Sequence, residues 1–121
     1  EDQIISFKTA KLAKEKGFPI IEKGFYIEGV FTNRGFSKDF HRWYKDDPLI
    51  QSAPTQSLLQ RWLREVHNID IFIWKNSIDG SYRVDDILLN NEELTNLEFE
   101  VGFDNYEEAL EEGLYEALKL I

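Results

Sequence analysis

The chain has 121 residues, the size of one ordinary domain, and its 42% hydrophobic and 31% charged content excludes a disordered chain and supports one core. Its 14 Lys and Arg stand against 23 Asp and Glu, and the net charge of −9 opposes a phosphate backbone, so nucleic acid is a disfavoured partner. Cysteine is absent, which removes disulfides, thiolate catalysis and Cys-ligated metal centres together.

No run of about eighteen apolar residues is present and no basic-then-apolar leader opens the chain. A cytoplasmic protein without membrane contact is therefore expected. The charge is unevenly placed, because the segment from Asp85 to Ile121 holds a single base, Lys119. The C-terminal part is thus strongly acidic.

In chain order, Ser6 is placed to cap a helix running through Lys16, with Ile5 set to staple against Ala10. Gly17 suits the left-handed position after it, Phe18 can close back on Ala13, and Pro19 forbids continuation. From Ile20 to Thr32 one strand is expected, with Phe25, Ile27 and Phe31 on one side and Tyr26, Glu28 and Val30 on the other. Gly24 and Gly29 weaken it or mark a bulge. From Asn33 to Ala53 no period survives, and a long loop is expected that is functional or holds a short helix.

Pro54 opens the next helix, in which Leu58, Leu59, Trp62, Leu63 and Val66 share one face that calls for burial. Asn68 can end it in the left-handed conformation and hand the chain to a strand whose core set is Ile69, Ile71 and Ile73. Asp79-Gly80 signals a reversal into a second strand from Tyr82 to about Leu89, which Asn90-Asn91 breaks. Leu97, Phe99, Val101 and Phe103 alternate with Glu98, Glu100 and Gly102 as a third strand. Asn105 and Glu108 resemble a capping box for a last helix with an apolar stripe from Tyr106 to Ile121 and Glu107, Glu111, Glu112 and Glu116 opposite. Gly113 lies inside that stripe and marks a close crossing by another backbone or ring.

The pattern predicts a single α+β domain over residues 1–121, with a mainly antiparallel sheet of three to four strands and about three helices packed on one face.

Three segments carry a resemblance. Ser6 to Phe18, Pro54 to Ile69 and Tyr106 to Ile121, together about 45 residues, resemble a family of small uncharacterised proteins met in phage and prophage sequences of Bacteroides-type bacteria. The resemblance implies a phage or prophage origin and assigns no catalytic residue.

The residues themselves offer two binding surfaces. Phe36, Phe40, His41, Arg42, Trp43, Tyr44 and Lys45 interleave aromatic and basic groups, the combination that stacks bases or grips an anion; alternatively the rings fold inward and cap the sheet. Phe72 and Trp74 occupy the outward phase of the first hairpin strand near acids, and form an exposed aromatic patch unless the 33–53 loop covers them.

Catalytic and metal signatures are not found. His41 and His67 lack paired-His spacing, and His67 suits a helix C-terminus. Asp46-Asp47 and Asp85-Asp86 lack the further acids that a magnesium site needs, and no phosphate-binding glycine loop or nucleophile elbow is present. No cofactor is expected. The expected function is that of an acidic, non-enzymatic protein-binding module acting on a host or phage protein, with charge mimicry of nucleic acid by the final helix as one form. The alternative is a small-molecule or nucleotide binder using loop 36–45. Self-association into a homo-oligomer stays open.

Overall fold

The computed structural model describes residues 3–21, 23–35, 44, 46–94 and 102–121. Among them three helices and six strands form an α+β fold in which every strand pairing is antiparallel. The strands fall into two three-stranded sheets. The chain divides into two compact units, Ile4–Thr55 and Gln56–Ile121 with Glu1–Gln3.

The first unit opens with α1 (Phe7–Glu15), capped by Ser6, whose Oγ accepts from the Thr9 N–H. Gly17, at φ +98°, lets the Phe18 N–H reach the Ala13 carbonyl and its own N–H reach Lys14, which satisfies the last carbonyls of the helix. Strand β1 (Lys23–Ile27) then turns at once into β2 (Val30–Gly35). The expected single strand is a hairpin, because Glu28 and Gly29 both adopt positive φ, 52° and 80°, the two-residue type I′ turn. That reversal changes the side-chain phase: Phe31 pairs with Tyr26, not with Phe25.

Gly24, at φ +89°, sits where the β1–β2 ladder slips by a residue, the bulge the sequence allowed. Within the span expected to be a loop, Ile50–Ser52 forms β3 on the other side of β1. All three of its residues are buried, yet three residues with Gln51 at the centre carry no readable period. Phe25, Tyr44 and Ile50 make the core of this unit, with Ile20 and Ile27 against them.

In the second unit, α2 (Gln56–His67) runs through Asn68, at φ 53°, into β4 (Ile69–Lys75). It begins two residues after Pro54. Its buried side is Gln56, Leu59 and Leu63, whereas Leu58 and Val66 are exposed, Val66 by 59%. The buried face is therefore rotated from the one its apolar residues outline. Gln56 takes a place on that buried side, where its Nε2 donates to the Glu107 carbonyl at 2.8 Å and to Glu111 Oε1 at 3.1 Å.

Strand β4 pairs with β5 (Tyr82–Leu89), and Asn90-Asn91, both at positive φ, turn the chain into the short β6 (Glu92–Glu93). Phe103 exchanges hydrogen bonds with Tyr82. Gly102 is not in a strand, and Leu97 to Val101 of the third expected strand lie outside the described residues. Helix α3 (Tyr106–Leu118), capped by Asn105, buries Ala109, Leu110, Gly113, Leu114, Ala117 and Leu118. It crosses the inner face of β4 and β5, where Ile69, Ile71, Val84 and Ile87 are buried. Gly113 marks the point of closest approach to Ile71 and Val84.

Candidate functional site

Strict alternation in β4 sends Ile69 and Ile71 inward, with Ile73 in the same phase, and Asp70, Phe72 and Trp74 outward. On β5 the phase breaks once. Phe72 pairs with Asp86 and Ile73 with Val84, so Asp85 is the extra, bulged residue. This bulge keeps Val84 and Ile87 inward while Asp86 and Arg83 stand beside Phe72 and Trp74 on the outer face.

Phe72 is 48% and Trp74 40% exposed, on the side of the sheet away from α3. The Arg83 guanidinium lies over the Trp74 ring, 4.4 Å from its centroid, a cation–π contact. Asp70 lies two residues before Phe72 on the same face, Asp86 stands directly across from Phe72, Asp85 is exposed on the bulge, and Ile78 at the hairpin tip is 94% exposed. Apolar rings with an acidic rim make a surface suited to a protein partner with apolar and basic groups.

The tip itself is firmly built. Asn76 Oδ1 accepts from the Ile78 N–H, and Asp79 Oδ1 accepts from both the N–H and the hydroxyl of Ser81. The Ser81 N–H, and then its hydroxyl, hold the Asp79 carboxyl below the usual carboxylate range. Beside Arg83 a cleft of about 320 Å³ is lined by Asn76, Asp79, Ser81, Phe103 and Asp104.

Of the aromatic and basic loop, Phe40, His41, Arg42, Trp43 and Lys45 lie outside the described residues. Tyr44 is 5% exposed and belongs to the core: its hydroxyl accepts from the Ser52 N–H and donates to the Phe18 carbonyl. Lys14 Nζ lies 4.5 Å from the Tyr44 ring centroid and donates to the carbonyls of Asp47 and, at 2.6 Å, Ile50. Burial pushes the Lys14 ammonium down, against the pull of Asp47 and Asp46. A second cleft, about 380 Å³, is lined there by Lys11, Lys14, Glu15, Asp46, Pro48 and Gln51. Its charges balance two against two.

Among the described residues no group of three or more His, Asp or Glu is arranged to hold an ion. Asp85 is exposed on its bulge, and Asp86 Oδ1 accepts from the Ile87 N–H. His67 is half-buried with its ring edge-on to Trp62 at 4.7 Å.

Sequence reading missed a second aromatic row, Phe7, Tyr26 and Phe31, with centroids 5.4 and 5.8 Å apart. Only recognition of Glu28-Gly29 as a turn would have put Phe31 beside Tyr26. No described helix is long and apolar enough to cross a membrane. Compared with known proteins, the chain matches no family model, no curated protein and no solved structure.

Proposed function

We propose that the chain is an acidic, non-enzymatic protein-binding module acting in the cytoplasm, and that the outer face of the β4–β5 hairpin is its binding surface. One observation carries the reading: Phe72 and Trp74, large aromatics two residues apart on β4, are left about half exposed on one face. Isolated surface rings are common, but two neighbouring rings framed by charge match the apolar centre and polar rim of protein interfaces. Asp70, Asp85 and Asp86 select for a basic partner surface, in keeping with the net charge of −9. The resemblance of three segments to small phage and prophage proteins favours a host or phage protein as that partner.

The test is affinity capture from host lysate with wild-type chain and with the Phe72→Ser, Trp74→Ser double variant. A stoichiometric partner retained by the first and lost by the second, with both chains equally folded by circular dichroism, is the expected outcome. Equal capture by both chains, or no stoichiometric partner, would defeat the proposal.

A further inference from the structure

We infer that β4 pairs along its free edge with β4 of a second copy of this chain, antiparallel about a two-fold axis at Phe72. Strand β5 is occupied on both sides: Tyr82 pairs with Lys75 and with Phe103, and Leu88 pairs with Asp70 and with Glu93. Strand β4, in contrast, has β5 as its one neighbour among the described residues. Seven residues, Ile69–Lys75, therefore present a strand edge, and such an edge is the template on which another strand adds. Among the described residues the usual protections are missing. No proline or inward charge interrupts Ile69, Ile71 and Ile73, and the bulge takes its extra residue from β5, which leaves β4 regular.

A second copy fits this edge because the strand complements itself. Outward residues must meet outward residues across an antiparallel seam. Centred on Phe72, the register sets Phe72 against Phe72 of the partner subunit, Ile71 against Ile73 of the partner subunit, and Trp74 against Asp70 of the partner subunit. Arg83 completes that row. Its guanidinium already reaches across to the Trp74 ring at 4.4 Å, one strand nearer the edge than its own backbone. Asp70 of the partner subunit then arrives on the other side of the same indole, roughly one strand spacing of 4.8 Å away. The strand is also locally neutral, Asp70 against Lys75, so the repulsion expected of a −9 chain does not fall on the seam. The pairing extends the outer face from two rings to four and does not depend on any heterologous partner.

Purified chain in about 0.15 M salt, followed by sedimentation velocity from micromolar to millimolar concentration, is expected to show a monomer–dimer equilibrium. Asp70→Arg and Arg83→Asp are each expected to weaken it by about threefold, since the two charges face each other across the Trp74 indole and the two-fold repeats the change, and the double variant to restore it. Because the chain has no cysteine, Phe72→Cys is expected to form a covalent dimer with oxidised glutathione, while Ile78→Cys at the exposed tip does not. A monomer at all concentrations, no recovery in the double variant, or equal cross-linking of the two single-cysteine chains would overturn the pairing. These readouts use the chain alone, so their result is separable from that of the capture experiment.

Discussion

A Cβ atom placed on Gly113 would lie 2.7 Å from Ile71 Cγ2, closer than side chains pack. The stripe of α3 therefore reaches the sheet only because residue 113 has no side chain. Ile71 is β-branched, and its Cγ2 has little freedom to withdraw. Gly113→Ala gains about 1 kcal/mol of helix propensity but meets an overpacking cost of about 1–3 kcal/mol, so a net loss of about 1 kcal/mol is expected in urea unfolding. The decisive check is the sign in a second background. After Ile71→Ala, which by itself costs about 2–5 kcal/mol, the same Gly113→Ala change is expected to stabilise, because its methyl enters the space left behind. An unchanged sign would mean that Ile71 is not what excludes the side chain.

Glu28 sits at φ 52°, a region that non-glycine residues enter at a cost and that Asn tolerates best among them. Its N–H donates to the Leu49 carbonyl at 2.8 Å, so the backbone conformation is tied to its surroundings. Glu28→Asn creates the preferred Asn-Gly pair of a type I′ turn while keeping that bond. A gain of roughly 0.5–1 kcal/mol is expected, read as a higher urea midpoint with an unchanged slope. A loss would show that the Glu28 side chain itself matters at the turn.

The features legible in the sequence are those decided within one turn of chain. Ser6, Gly17, Phe18, Asn68 and Asp79-Gly80 act through local backbone geometry and each plays its expected part; Gly113 marks a close crossing as expected, but what crosses it is the aliphatic side chains of Ile71 and Val84 and not a backbone or ring. What was illegible depends on partners far away. Glu28 is an unusual occupant of a left-handed turn, so a hairpin read as one strand; β3 is too short to show alternation. The burial of Gln56 in place of Val66 goes with a bond to a carbonyl on another helix. The outward placing of Phe72 and Trp74 could be read from alternation alone, whereas the bulge at Asp85 and the seat of Arg83 on Trp74 depend on how β5 aligns with its neighbour.

Gln56 is 3% exposed and spans two helices through its amide. Gln56→Ala removes both of these bonds and empties a buried site, while the Glu107 carbonyl keeps its helix bond from the Glu111 N–H, so a cost of about 2 kcal/mol is expected. Glu111→Ala removes the longer bond, 3.1 Å, and leaves the Gln56 amide on the Glu107 carbonyl. Its expected cost is about 0.5 kcal/mol. Chemical denaturation of the two variants side by side checks the order; equal losses would mean that the carboxylate, not the carbonyl, is the anchor.

Tyr44 joins stability to pH. Burial pushes its hydroxyl above the ordinary 10.0, against the lowering effect of its Ser52 contacts. As pH rises past 10.0 the unfolded chain loses this proton first, so the folded chain binds more protons; the stabilisation is complete below that value and is lost as pH climbs through the folded pKa. Lys14 acts with the opposite sign, since its folded pKa lies below the ordinary 10.5 and stability from that group rises with pH across the gap. Tyr44→Phe leaves the Ser52 N–H without its acceptor and is expected to cost about 1–3 kcal/mol at neutral pH. Lys14 keeps its contact with the ring in both chains, so only its attraction to the ionised Tyr44 hydroxyl of wild type enters their difference. The deficit of the variant is therefore expected to shrink above pH 10 as wild type loses the tyrosine contribution, and parallel urea titrations from neutral to strongly alkaline pH read this directly. A deficit that stays constant would place the Tyr44 hydroxyl outside the alkaline transition.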